Sequence, residues 1–286
     1  MLEFSSDGLT VALILLAALL HASWNALTKA GGDPLISVAV VTGTGGLCAI
    51  PLILWLPLPG PETWRWLAAS AGIHYVYQLA LVRTYQLGDL SQVYPIARGL
   101  APLGVALLAA IGSDEFLRPG QLFGLALASA AIVSLGWTRT RDRSTNRAVA
   151  MAVLTAVLIG SYTYTDARGV RSVENIENFI GWSFFLGSVP MVLTTVFLRW
   201  STGLAALRRL GLQAVGGGLM ATTGYTIALW ALSRAPMASV ASLRESSVLF
   251  AAILGTRFLG EPLGRRRVVS AVVLVAGLIL VQLRRV

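Results

Sequence analysis

The sequence is poor in charged residues, in histidine and in cysteine, and each shortage excludes a class of protein. Only 12% of its 286 residues are charged, about half the share found in soluble globular domains. The single cysteine, Cys48, excludes an internal disulfide. Two histidines beside that one thiol make a poor metal site, and we expect no bound metal. The sequence also lacks HExxH, GxSxG and Walker motifs, so it predicts no hydrolase or nucleotide site of those kinds.

Apolar residues, by contrast, are abundant. They make up 56% of the chain, and the mean hydropathy is +0.73. Only membrane lipid can solvate so much apolar surface. The formal charge of +9 comes from residues that lie mainly between apolar runs, as in 139–147 and 265–267. Such residues set topology and contact anionic headgroups. We therefore expect the lipid bilayer as a partner, and no nucleic acid.

Ten apolar segments are long enough to cross a membrane, which takes about 20 residues of helix. They cover residues 9–28, 35–56, 65–87, 90–111, 118–137, 147–166, 177–199, 210–233, 236–257 and 264–283. A polar linker at 138–147 divides them into five and five. The sequence therefore predicts an all-α membrane protein with ten transmembrane helices, in two halves at residues 1–140 and 141–286.

The two halves show weak similarity to each other. Placing Tyr77 on Tyr225 also places Ala80-Leu81 on Ala228-Leu229. Chance similarity between apolar segments is the alternative interpretation. If the repeat is real, five helices per half is an odd number, so the second half enters the membrane from the opposite side. Such inverted repeats are the architecture by which many secondary transporters achieve alternating access.

Three stretches resemble the ten-helix EamA-type branch of the drug/metabolite transporter superfamily. The first is the polar and aromatic segment 21–29. The second is Ala80-Leu81 with its counterpart Ala228-Leu229, each before a short turn and a serine-containing helix. The third is an acidic residue after the fourth and ninth helices, Glu115 and Glu261. The resemblance covers the whole chain in the number and spacing of helices.

The resemblance implies secondary transport of metabolites such as amino acids, nucleosides, sugars or organophosphates, in a multi-pass protein of a cell membrane of the bacterial inner-membrane kind. It implies a central cavity between the halves, with contributions from helices three, four, eight and nine, and no cofactor. The chain departs from the family in one respect. Its fourth helix contains Pro95 and Pro102, but its ninth helix contains no proline.

Three charged residues lie deep inside predicted helices. Arg98 lies in the fourth helix, and Arg244 and Glu245 lie at similar depth in the ninth. A charge at a helix centre costs about 2.5–3.5 kcal/mol on insertion scales, so such residues face a cavity or a partner. In a structural interpretation, Glu245 neutralises one arginine and joins the halves. In a functional one, an unpaired guanidinium binds a carboxylate or phosphate, and Glu245 holds a substrate ammonium group or a proton.

Polar and aromatic side chains accompany these charges on shared helix faces. The further candidate substrate-binding residues are Tyr94, His74, Tyr77, Gln78, His21, Trp24, Asn25, Tyr162 and Tyr225. An interfacial aromatic belt or a helix–helix hydrogen bond are the alternative interpretations. His21 is a candidate for coupling proton movement to transport, because histidine titrates near neutral pH. Asp166 is expected near a membrane interface in a structural role.

Small residues predict close helix contacts at two places. Gly120 and Gly124 form a GxxxG pattern in an apolar helix. The triplet at residues 216–218 indicates a bend or a tight crossing rather than a phosphate loop, because no Lys-Ser/Thr pair follows it.

These patterns predict a secondary transporter for a small anionic or zwitterionic metabolite, with an amino acid as the first choice and protons as a candidate coupling ion. An organophosphate, organophosphonate or drug transporter of the same fold is the alternative. A channel, a helper subunit or an intramembrane enzyme that uses Glu245 or Asp166 remain as further hypotheses. An enzyme would be expected to keep its acid and base at one mouth, whereas polar groups here occur along both halves.

Overall fold

The fold is known from a computed structural model, and it is helical apart from one short ribbon. The structure describes residues 2–4, 7–29, 33–88, 90–136, 143–199, 203–259 and 265–285. The helices are α1 Gly8–Lys29, α2 Pro34–Trp55, α3 Pro61–Leu87, α4 Leu90–Ser113, α5 Pro119–Gly136, α6 Arg143–Arg171, α7 Ile176–Leu198, α8 Gly203–Leu232, α9 Met237–Arg244, α10 Ser247–Leu259 and α11 Arg265–Gln282. Two short strands, β1 Leu2–Phe4 and β2 Leu283–Arg285, pair antiparallel.

A helix lies on every predicted apolar segment, which confirms the helical class. Within the described residues, six helices (α1, α2, α4, α5, α6 and α7) are long and apolar enough to cross a membrane. The prediction of a continuous ninth helix is wrong, because it is split into α9 and α10. The sixth helix runs five residues beyond the predicted end, as far as Arg171. The ten-span arrangement itself stays a prediction.

Asp33 starts α2 and ties it to the end of α7. Its carboxylate caps the helix by accepting a hydrogen bond from the Leu35 N–H at 2.9 Å, and Pro34 follows at the first helical position. The same carboxylate pairs with Arg199, with Nε 2.9 Å from Oδ2. Partial burial acts to raise the pKa of Asp33, but Arg199 and the capping hydrogen bonds hold it below its ordinary value.

The helices of the first half pack mainly on helices of the second half. In the interior, α2 packs on α7, α1 on α8 and α3 on α6. The pair α5 and α11 packs at the periphery. Gly218 of α8 makes the close crossing on α2, where an added Cβ would lie 2.6 Å from Thr44, whereas Gly216 faces open space. The glycine triplet thus serves a tight crossing at its third position.

Glu115, one of the acidic residues behind the family resemblance, fastens three segments together. Its carboxylate accepts a hydrogen bond from the Met237 N–H at the start of α9, at 2.8 Å, and pairs with Arg171 at the end of α6. Arg171 also donates to two backbone carbonyls of the α8–α9 connection, each at 2.7 Å. Glu115 therefore has a structural role. Its predicted counterpart, Glu261, lies outside the described residues.

The contact between α5 and α11 depends on two facing glycines. A Cβ added to Gly124 would lie 2.6 Å from the Cβ of Leu280 and 2.7 Å from the carbonyl oxygen of Gly277. Gly120, in contrast, has nothing within 4 Å of the equivalent position. Of the two glycines in the GxxxG pattern, only Gly124 makes a close helix contact, and it faces Gly277 on α11.

Gly124→Leu is expected to destabilise the protein by about 1–3 kcal/mol, because overpacking must push α5 and α11 apart. Thermal unfolding of the purified protein in detergent measures the effect as a lower Tm. Gly120→Leu is the matched control, since the same side chain there enters open space and should leave Tm within a degree or two of wild type. Equal Tm values for the two variants would contradict this account of the contact.

Candidate functional site

A central cavity of about 150 Å³ lies between helices of both halves. Its walls come from α1, α2, α3, α6, α7, α8 and α9. Eight of the twelve predicted site residues line it, namely His21, Trp24, His74, Tyr77, Gln78, Tyr162, Tyr225 and Arg244. The family resemblance implied walls from helices three, four, eight and nine. Helix α4 is absent from the described lining of this cavity, whereas α1, α2, α6 and α7 contribute to it.

The remaining predicted residues lie in a second, adjoining region. A cavity of about 10 Å³ is lined by Asn25, Tyr94 and Arg98, and it shares His21, Trp24 and Tyr77 with the central cavity. Glu245 contacts Arg98 from the end of α9. The twelve predicted residues therefore gather around one cavity and a small extension of it toward α4.

Stacked and edge-on aromatic rings form one wall of the central cavity. The His74 ring stacks on Tyr162, with centroids 4.1 Å apart, and Tyr77 meets Tyr162 edge-on at 5.0 Å. Tyr225 meets the His74 ring edge-on at 5.7 Å. Tyr77 and Tyr225, which the repeat alignment places at equivalent positions, both line the cavity. Such a wall offers π faces to a ligand.

Arg98 and Glu245 form a buried ion pair between α4 and the end of α9. Arg98 Nη2 lies 3.0 Å from Glu245 Oε1, and each residue is only 4% exposed. This is the pairing expected if Glu245 neutralises one arginine and joins the halves. Removal of either partner would leave an uncompensated charge in a place that water does not reach.

The ninth helix is interrupted at the residue that carries this ion pair. The N–H groups of Glu245 and Ser246 donate to carbonyls three residues earlier, Ser242 and Leu243, at 3.0 and 3.1 Å. Such tight turns inside a helix often mark a hinge. Serine hydroxyls compete for backbone carbonyls at the break, where Ser242 and Ser246 donate to the carbonyls of Ser239 and Leu243, respectively. The sequence prediction overlooked this competition.

Arg244 is the cation that the cavity presents to a ligand. It is 8% exposed, it lines the central cavity, and its Cζ lies 5.2 Å from the centroid of the Tyr225 ring. Across the part of the chain that the structure describes, no carboxylate lies within ion-pair distance of it. Two adjacent residues thus differ in role, since Glu245 neutralises Arg98, whereas Arg244 faces the cavity and forms no direct ion pair with the described residues.

Asp166 is inside the protein rather than at an interface, which corrects the prediction. It is 0% exposed, its Oδ2 lies 3.0 Å from His74 Nε2, and the Tyr225 hydroxyl donates to the same oxygen. The prediction is wrong because the polar residues near position 166 look, in the sequence, like the end of a helix. The spacing from Tyr162 could have found it, because residues four apart share a helix face.

The polar residues of α1 near the cavity, His21, Trp24 and Asn25, form hydrogen bonds with one another. The Trp24 Nε1–H donates to His21 Nδ1 at 3.3 Å, and the Asn25 side-chain amide donates to the His21 carbonyl at 2.8 Å. Gln78, also buried, donates across to the carbonyl of Gly187 on α7 at 3.3 Å. These contacts orient the side chains around the cavity and leave the His21 ring as a hydrogen-bond acceptor.

Small polar residues of α2, α7 and α8 complete the walls, and sequence reasoning missed them. The lining residues not predicted include the Phe184 ring and four hydroxyl-bearing residues, Thr42, Ser183, Ser188 and Thr222. Their hydroxyls bond to the carbonyl about one turn earlier, as Thr42 does to Val38 at 2.9 Å. Serine and threonine do this in many apolar helices, so their presence gives no distinguishing signal.

Part of the chain is similar to a known protein family. The profile of the EamA-like transporter family matches residues 146–283, the second half of the chain. This match supports the resemblance noted in the sequence, over the second half of the chain. The family is one of membrane transporters, which agrees with the expectation that the chain is not an enzyme.

The chain is similar in fold to solved structures, of which 29 chains match. One of them, a crystal structure of a protein, shares 19% identity with a TM-score of 0.72, over 96% of this chain and 96% of that one. At this identity the likeness shows the fold alone. A search of curated proteins finds no match.

Proposed function

We propose that the protein is a secondary transporter that moves a small anionic or zwitterionic metabolite, an amino acid first, across a cell membrane by alternating access. The observation that carries the proposal is Arg244, which lines the central cavity and has no carboxylate within ion-pair distance among the described residues. A guanidinium presents a fork of donors that suits a carboxylate or a phosphate.

The size and walls of the cavity support a small substrate. A cavity near 150 Å³ is about the size that accommodates benzene. Arg244 lies against Tyr225, and further rings line the wall beyond it. A zwitterion can place its carboxylate on Arg244 and its ammonium or apolar part against these π faces. An organophosphate or organophosphonate would use the same guanidinium and is the alternative substrate class.

We further propose that the halves, 1–140 and 141–286, are inverted repeats of five spans each. Several contacts support this arrangement. The packing of α1 on α8 mirrors that of α3 on α6, and the pairs α2–α7 and α5–α11 join equivalent helices. Helices α2 and α7 are both capped by the side-chain oxygen of an Asx residue. The β1–β2 pairing brings both ends of the described chain together, as an even number of crossings requires.

Solute counterflow in proteoliposomes tests the proposal. Separate assays would offer labelled L-leucine, L-threonine, glycerol 3-phosphate and choline to vesicles preloaded with the same unlabelled solute. We expect exchange of an amino acid above protein-free vesicles, because the cavity offers one cation and aromatic walls. Exchange of glycerol 3-phosphate alone would favour the organophosphate alternative. Exchange of choline alone would contradict the assignment of Arg244 as the substrate's partner.

A further inference from the structure

We propose that the His74–Asp166 pair is the site of a coupling proton, and that this proton binds together with the anionic group of the substrate. The proposal rests on the transport function proposed above. It assigns a second ligand, the proton, to a site in the cavity wall that the substrate does not occupy. The protein would then be a proton symporter.

The geometry of the pair suits one exchangeable proton. His74 Nε2 and Asp166 Oδ2 lie 3.0 Å apart, so a neutral imidazole can donate its Nε2–H to the carboxylate, and one further proton, at the imidazole Nδ1, makes the pair neutral overall. Without that proton the pair carries one negative charge on Asp166, which is 0% exposed. The second oxygen, Oδ1, is buried and has no hydrogen-bond partner among the described residues. An anion held this way in a membrane protein needs a nearby positive charge.

Arg244 supplies that charge only while the substrate site is empty. The Tyr225 hydroxyl donates to Asp166, and the Arg244 guanidinium lies over the same Tyr225 ring at 5.2 Å. In the empty cavity the unprotonated pair and Arg244 therefore balance each other. A substrate carboxylate on Arg244 removes the balance, and protonation of the pair restores it. Binding of either ligand consequently favours binding of the other, by the same factor.

The other groups around the pair do not replace Arg244 in this role. The packed helices present three phenols, from Tyr77 on α3, Tyr162 on α6 and Tyr225 on α8. Phenols ordinarily titrate near 10, so they stay neutral at physiological pH. Arg98 and Glu245, on α4 and α9, neutralise each other. The lining residues of α2 and α7 carry no charge.

His74 suits this role better than His21, the histidine that the sequence indicated. His21 also lines the cavity, but its Nδ1 accepts a hydrogen bond from Trp24. Among the described residues it has no carboxylate within ion-pair distance. His74 has a buried carboxylate as its partner and is itself partly open to the cavity, with 19% of its side chain exposed. Protons can therefore reach His74 from the cavity.

Gradient-driven uptake tests the proposal in proteoliposomes, with a radiolabelled amino-acid mixture as the probe. An inward proton gradient of about one pH unit should drive about tenfold accumulation by a one-to-one symporter, since 1.4 kcal/mol corresponds to a factor of ten. Asp166→Asn and His74→Gln should reduce this accumulation to about one. Counterflow of the same mixture should remain measurable in both variants, because exchange moves no net proton.

Tyr75→Phe is the matched control. It removes a hydroxyl from the same helix as His74, but that hydroxyl bonds to Thr194 at 2.8 Å, away from the cavity lining. The control should accumulate the mixture about tenfold, as wild type does. Tenfold accumulation by Asp166→Asn would overturn the proton site and leave the transporter proposal intact.

A second measurement decides the proposal even without flux. Infrared difference spectra of the purified protein in lipid, between about pH 5 and about pH 8, should show a carboxyl or imidazole band that Asp166→Asn removes. That result supports the proton site whichever solutes are transported, whereas absent counterflow in wild type counts only against the proposed function. Identical spectra for wild type and Asp166→Asn would overturn the proton site.

Discussion

Glu245→Ala is expected to cause a large loss of folded protein. It leaves Arg98, 4% exposed, without its partner at 3.0 Å. Removing one member of a buried ion pair typically costs about 3–5 kcal/mol, a large part of a total stability of about 5–15 kcal/mol. The fraction of monodisperse protein on size-exclusion chromatography and the Tm in detergent measure the effect.

The double variant Arg98→Met with Glu245→Leu separates the charge from the packing. With both charges removed, stability should return to near the wild-type value, because well-packed apolar residues often replace a buried pair without loss. Glu62→Ala is the surface control, since Glu62 pairs with Arg65 where both side chains are more than 60% exposed, and such pairs contribute about 0–1 kcal/mol. A wild-type Tm for Glu245→Ala would show that the pair does not hold α4 to α9.

Arg244→Ala is expected to reduce transport about a hundredfold while the protein remains folded. Losing a charge-assisted hydrogen-bonding group for the substrate corresponds to about 3 kcal/mol, and 1.4 kcal/mol is a factor of ten. Folding should suffer far less than in Glu245→Ala, because Arg244 has no carboxylate within ion-pair distance among the described residues. Initial rates of counterflow, with Tm recorded in parallel, test both parts of the prediction.

Two further variants sharpen this test. Arg244→Lys keeps the charge without the planar fork, so transport should fall between wild type and Arg244→Ala. Arg234→Ala is the matched control, because Arg234 also lies over an aromatic ring, Trp230 at 4.4 Å, but it is absent from the cavity lining. It should transport at the wild-type rate. Wild-type flux in folded Arg244→Ala would return Arg244 to a structural role.

The positions of the helices were largely predictable, because apolar runs and Gly or Pro breaks decide where a chain can cross lipid. The ends of the helices were less predictable where polar residues occur within a helix. The sixth helix continues past Asp166 to Arg171, since Asp166 is satisfied by His74 and Tyr225 instead of water. The ninth helix breaks at Glu245, where serine hydroxyls compete for backbone carbonyls.

The candidate site was predictable in its residues but not in its pairings. A charged residue within an apolar segment is easily recognised in a sequence. Because its burial in lipid is costly, such a residue is expected to be paired or to face a cavity. Glu245 pairs with Arg98 because α4 packs on α9. That tertiary contact cannot be predicted from the local sequence around Glu245. The contribution of α2 and α7 to the cavity lining was also not predictable, because Thr42 and Ser183 resemble the serine and threonine residues found in many apolar helices.

Glu245 lies at the break in the ninth helix and also belongs to the buried ion pair. A change in the angle between α9 and α10 would therefore move Glu245 relative to Arg98. Separating the two in the absence of water requires several kcal/mol, which slows the change of conformation. In the transport cycle proposed above, the empty protein would therefore change conformation slowly unless a bound solute lowers this barrier. Such a barrier limits slippage, the uncoupled dissipation of a gradient.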